Sequence, residues 1–68
     1  MTEKIKIVLL KRGLKTTDLA KALNCSPSNL YDKYKRDNFS EKELQEIGNI
    51  LNCDFIGKFK MRDTGEEI

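Results

Sequence analysis

Apolar residues recur at helical spacing over the first fifty positions, and the period then changes to two. In "TEKIKIVLLKRG" Ile5, Val8 and Leu9 share one helical face, and Ile7 and Leu10 widen the stripe. Thr2 is placed to cap this first helix, and Gly13 suits the left-handed position past its end. "TTDLAKALN" predicts a short second helix over about 16–23. Leu19, Ala20 and Leu23 face inward, Thr16 or Thr17 opens it, and Asp18 lies near its positive end. Asn24 tolerates a left-handed conformation and can end the helix abruptly.

The next two helix starts are written more strongly. Ser26 is a good N-cap and Pro27 stands at the first helical position, where its missing N–H costs nothing, so a third helix is predicted over about 27–37. Cys25 and Leu30 are spaced as a hydrophobic staple. In "FSEKELQEIGNILN" Ser40 and Glu43 form a capping box, Phe39 and Leu44 a staple, and Leu44, Ile47, Gly48 and Leu51 the inner stripe. The predicted core is Leu9, Leu19, Ala20, Leu23, Leu30, Leu44, Ile47 and Leu51. From Cys53 to Met61 apolar and polar residues alternate, which predicts a strand, and "RDTGEEI" offers a turn and a tail. The division is therefore a helical unit over 1–52 and a C-terminal strand or hairpin over 53–68.

Two short helices joined around Asn24–Ser26, with a small Ala20 at their crossing, follow the logic of a helix-turn-helix. A structural αα corner would show the same inner face, so the outer face decides. With Leu30 and Tyr34 turned inward, Ser28, Asp32 and Lys35 point outward, flanked by Asn29 and Arg36 on one side and Tyr31 on the other. A solvated structural helix would carry Glu and Lys at four-residue spacing. Small hydrogen-bonding groups at the helix start and cations at its end suit base edges and phosphates in a major groove.

Charge sharpens this picture. The net charge is only +2, but it is segregated. Residues 1–38 hold nine Lys/Arg against four Asp/Glu, and residues 39–68 hold four against seven. A basic front and an acidic back suggest one anion-facing side.

At this point the chain resembles the phage-repressor/Cro type of helix-turn-helix regulator, the xenobiotic-response-element-like group. The resemblance rests on "TTDLAKALNCSPSNLYDKY", with Leu19, Ala20, Leu23, Ser26 and Leu30 at the family spacing, and on "KRDNFSEKELQEIGNIL" as a fourth helix. It implies a mainly α, lambda-repressor-like four-helix DNA-binding domain followed by a β-strand or hairpin. It implies a repressor-like prokaryotic or phage regulator that reads double-stranded DNA with residues 27–37. Three positions depart from the family pattern: Thr16 where Gln is usual, Asn24 for the turn glycine, and Lys33 for a late apolar residue.

By that resemblance Ser28, Tyr31 and Asp32 approach base edges, Pro27 begins the contacting helix, and Thr16, Thr17, Asn29, Lys35, Arg36 and Asn38 lie near phosphates. Individual residues keep alternatives. Asp32 either accepts from cytosine or pairs with Lys35 or Arg36 one turn on. Tyr31 packs on the sugar or a thymine methyl, or edges the core. Lys33 reaches a phosphate or lies beside the core. The competing function is a protein-interaction module, such as an antitoxin or anti-repressor partner, that keeps the fold without tight DNA binding.

Other chemistry is thin. With no histidine, no paired acids on an apolar wall and two cysteines far apart, no catalytic constellation, metal site or cofactor is expected. No small-molecule ligand is evident. The chain shows no secretory leader, transmembrane run or lipidation motif, so a cytoplasmic protein without membrane contact is expected. A homodimer is expected through the C-terminal strand, with Phe55, Ile56, Phe59 and Met61 in the interface. A lone strand leaves unpaired backbone groups that a second copy could satisfy. The alternative is a hairpin folded back on its own helices.

Overall fold

The computed structural model describes all 68 residues. Four helices come first: α1 (Thr2–Arg12), α2 (Thr16–Ala22), α3 (Pro27–Arg36) and α4 (Glu41–Ile50). Two strands follow, β1 (Cys53–Phe55) and β2 (Phe59–Met61). This is the mainly α fold that the resemblance implies, closed by a small antiparallel hairpin.

The helix boundaries follow from local chemistry. The Ser26 hydroxyl accepts from the Asn29 N–H at 3.2 Å, with Pro27 opening α3. Ser40 and Glu43 close the capping box on α4, each side chain accepting the other's backbone N–H at 3.1 Å. Each helix is followed closely by a left-handed residue: Gly13 (φ 69°), Asn24 (φ 60°), Asp37 (φ 49°) and Asn52 (φ 57°). Asn and Asp bear this conformation better than other non-glycine residues, so the chain can reverse at each of these points.

Two predicted starts are corrected. Thr2 does not cap α1. It is the first helical residue, and its hydroxyl instead donates to the Tyr34 carbonyl and the Asp37 carboxylate. At α2 the cap position is Lys15, whose N–H donates to the Asp18 carboxylate at 2.8 Å.

One core joins all elements: Ile5, Val8 and Leu9 from α1, Leu19 and Ala20 from α2, Leu30 and Tyr34 from α3, Leu44 and Ile47 from α4, and then Leu51, Cys53, Phe59 and Met61. Ala20 is completely buried and Leu23 is only half-buried at the margin. Ile7 and Leu10 do not widen the buried stripe of α1. They lie on its outer face, and Leu10 is 81% exposed. Both cysteines are free thiols.

The C-terminal segment is a hairpin folded back on its own helices, the alternative to a strand that pairs with a second copy. Residues 53–61 are not one strand. Gly57 adopts φ 83° and folds them into a hairpin with Cys53 opposite Met61 and Phe55 opposite Phe59. A second reversal after Met61 brings the tail back along the outer edge of β2. Phe59 and Ile68 exchange both backbone hydrogen bonds, at 3.2 and 2.8 Å, and the Met61 N–H donates to Glu66 at 2.9 Å. The other edge of the sheet faces α4, where the missing side chain of Gly48 lets the helix approach the Cys53 carbonyl. A Cβ there would lie 3.0 Å from that oxygen.

These contacts correct the interface predicted from sequence. Phe59 and Met61 belong to the protein's own core, with Phe59 completely buried, and cannot cover a second copy. The alternation was read correctly, but the apolar face turns inward onto the helices. Of the four residues named, Phe55 is half-buried and Ile56 is 60% exposed.

Candidate nucleic-acid interface

α3 is fixed to the core along one line, by Leu30 and Tyr34. Both ends of that line are braced from elsewhere in the chain. Tyr34 packs edge-on against Tyr31, with ring centroids 6.1 Å apart and planes at 87°. Its ring also meets Phe39 at 6.1 Å and carries the Lys6 ammonium 5.3 Å from its centroid. The Thr16 hydroxyl donates to the Tyr34 Oη at 3.4 Å. Burial raises the Tyr34 phenol above its ordinary pKa, so it stays neutral. Thr16, named from sequence as a phosphate neighbour, is thus half-buried and its hydroxyl turned to α3.

The C-terminal end of α3 is held by the start of α1. Asp37, left-handed beyond the last turn, accepts from the Thr2 N–H at 2.9 Å and the Thr2 hydroxyl at 2.8 Å. The N-terminal ammonium lies 3.2 Å from the same carboxylate. These bonds, the Thr2 backbone N–H foremost, pull the Asp37 pKa down to about 2. Lys33 joins α3 to α4 through an ion pair with Glu43, which lowers the Glu43 pKa. Lys33 is half-buried, in keeping with a place beside the core, and its ammonium is spent on Glu43. The partners in these links were not found in the sequence, although Thr16 and Lys33 had drawn attention as departures from the pattern that the chain resembles.

The remaining residues predicted for the site are exposed. Ser28, Asn29, Asp32, Lys35 and Arg36 share the side of α3 that faces away from the core, with Asn38 just past its end and Tyr31, 54% exposed, to one flank. Thr17 and Pro27 meet at the junction of α2 and α3, where they line a hollow with Asp18, Lys21 and Cys25. A second hollow beside α3 is lined by Cys25, Asn29, Asp32, Lys33, Arg36 and Asn38. The structure brings together all the predicted residues except Thr16, whose hydroxyl is occupied.

Several cations of α1 and the hairpin are neutralised, whereas the two at the end of α3 are not. Lys11, Arg12, Lys58 and Arg62, all on the side of the molecule formed by α1 and the hairpin, are paired with carboxylates. Lys35 and Arg36 appear in none of the six ion pairs. They stand in the last turn of α3, where cations also complement the helix dipole. A helix with small polar side chains at its start and two unneutralised cations at its end is a surface prepared for an extended polyanion.

Comparison with known proteins agrees with this geometry. Residues 4–57 match the family described as the Cro/C1-type HTH DNA-binding domain. The chain is also 43% identical over 47 residues to the "Repressor protein CI" of Enterobacteria phage phi80. That match covers 69% of this chain and 20% of the relative, so the chain spans about a fifth of the relative's length. No solved structure gives a significant match.

Proposed function

This chain belongs to the Cro/C1-type helix-turn-helix DNA-binding family, and from that premise we propose that it represses transcription by seating α3 in the major groove of an operator. The observation that carries this reading is the division of labour on α3. Leu30 and Tyr34 fasten the helix to the core, while Ser28, Asn29, Lys35 and Arg36 leave their side chains exposed for base edges and phosphates. Thr17, Pro27 and Asn38 flank that helix and complete the backbone-contacting rim, with Tyr31 against the sugar. The similarity to a phage repressor supports repression over activation. The reading assigns the chain no catalytic activity and places it in the cytoplasm with the DNA.

The operator is read by a pair of chains. A single recognition helix covers only a few base pairs, and regulators of this geometry double their reach by binding two half-sites. With Phe59 and Met61 committed to the core, the contact between copies falls to the exposed Ile56 and the adjoining Phe55. These two line a cleft with Gln45 and Asn49 of α4. Sedimentation of the parent and of Ile56→Lys tests the pairing: the parent is dimeric at micromolar concentration and the variant monomeric. A parent that stays monomeric at millimolar concentration removes the dimer and leaves DNA binding in place.

DNA binding itself is tested by titrating duplex DNA at several salt concentrations. The expected result is retention that falls steeply as salt rises, with a selected sequence held more tightly than random duplex. Weak retention at every salt concentration would overturn the proposal in favour of a protein-interaction module.

A further inference from the structure

One residue on the exposed face of α3 has the wrong charge for a phosphate neighbour. Asp32 lies two positions from Leu30 and two from Tyr34, about 200° around the helix from each buried anchor. It therefore stands at the middle of the outward face, the part of the helix farthest from the core. Sequence left two roles open for it, and the structure removes one. Asp32 pairs with neither Lys35 nor Arg36, and it takes part in none of the chain's side-chain hydrogen bonds or ion pairs. Its carboxylate is exposed and uncommitted.

A free carboxylate beside the phosphates of a duplex would be repelled. On a helix lying in the major groove the middle of the outward face meets base edges rather than the backbones, and Lys35 and Arg36 stand one turn further on. There it can only accept hydrogen bonds. In the major groove the donors are the N4 amine of cytosine and the N6 amine of adenine. Adenine presents its N7 acceptor beside that amine, which repels a carboxylate. Cytosine presents no acceptor there. Guanine and thymine offer O6, N7 and O4, all acceptors.

We infer that Asp32 determines base specificity at one position of the operator half-site, selecting a C·G pair in the orientation that turns the cytosine amine toward α3. The inference rests on the reading of α3 as the DNA-facing helix and adds to it a residue and its preferred base. It assigns Asp32 to discrimination rather than to affinity, since a carboxylate weakens attraction to any duplex while rejecting the wrong edges.

The test is selection of bound sequences from random duplexes with the parent, Asp32→Asn and Asp32→Ala, together with each protein's affinity for random duplex and its thermal melt. Asp32 makes no side-chain hydrogen bond or ion pair within the protein, so neither variant should melt below the parent, and Asp32→Ala should melt slightly higher through its better helix propensity. The parent should prefer C·G over T·A at one pair by about tenfold. Asp32→Asn should move that preference to adenine, whose N6 and N7 suit an amide. Asp32→Ala should flatten it, with equal or higher affinity for random duplex. An unchanged operator in both variants overturns the inference, as does a preference for A·T at the affected pair in the parent. Loss of all binding by a folded Asp32→Ala also overturns it. A parent that enriches no sequence defeats the DNA reading itself, which the parent's own selection reveals before any variant is compared.

Discussion

Thr2 and Asp37, 35 positions apart, are joined by two hydrogen bonds, one from the Thr2 N–H and one from its hydroxyl to the same carboxylate oxygen. The contact ties the first turn of the chain to the end of α3. It satisfies an N–H at the start of α1 that has no partner within the helix. Asp37 thus serves the helix it follows through its left-handed backbone, and the helix it faces through its side chain.

Acidification should loosen this link. The Asp37 pKa is lowered from 3.8 to about 2 in the folded protein. A depressed carboxylate contributes stability above its unfolded pKa and loses it as pH falls toward the folded value. Thermal melts of the parent should therefore weaken between about pH 4 and pH 2. Asp37→Asn, which keeps a left-handed-tolerant residue, should be less stable at neutral pH and show a smaller drop across that window. Parallel melting curves for the two proteins across the window would exclude Asp37 as a source of the acid sensitivity.

Arg12 holds the other end of α1. Its guanidinium donates to the Leu51 carbonyl at 2.8 Å, the Asn52 carbonyl at 2.9 Å and the Asp63 carboxylate at 2.7 Å. Three separate nitrogens of one planar fork reach these three acceptors, whereas an ammonium presents all its donors from a single point on a shorter reach. Arg12→Lys should lower the urea midpoint although the charge is kept. A midpoint equal to the parent's would show that charge alone suffices.

Two small residues set close approaches and should resist enlargement. Ala20 is completely buried where α2 and α3 cross, and Gly48 faces the Cys53 carbonyl. Ala20→Leu should cost about 1–3 kcal/mol by overpacking. Gly48→Leu should cost a similar amount, despite the better helix propensity of leucine, because backbone rather than a flexible side chain stands in the way. Leu10→Ala on the exposed face of α1 is the control and should change stability by no more than about 0.5 kcal/mol. Chemical denaturation measures all three.

Lys35→Ala and Arg36→Ala should each weaken binding to every duplex sequence and reduce the slope of log affinity against log salt by about one unit. Titrations at four or more salt concentrations give the slopes. A slope for Lys35→Ala equal to the parent's would take Lys35 off the phosphate-contacting face. Lys33→Ala is the internal comparison. Its ammonium is held by Glu43, so its slope should stay close to the parent's.

What the sequence determined by itself was carried by neighbours within about one helical turn, although the local cap of Lys15 by Asp18 escaped it. Ser26 with Pro27, and Ser40 with Glu43, announce their helices because each pair lies within three residues. Gly13 and Asn24 end theirs through their own backbone preferences. The outward set of Ser28, Asp32 and Lys35 follows from 100° per residue once Leu30 and Tyr34 are turned inward. Tertiary structure decided what depends on where distant elements come to rest. Alternation over residues 53–61 shows that two faces differ. It cannot say whether Phe59 meets the helices or a second copy, because period two is the same in either case. It gave no sign that Gly57 would fold the segment, and it left the return of the tail along β2 as one of two alternatives. The partners of Thr2, Arg12 and Lys33 were equally hidden. Long-range polar contacts have no period in sequence, since they are chosen only after packing has brought their elements together. Asp32 shows both limits at once: its position on the helix was legible, but its freedom from Lys35 and Arg36 was not.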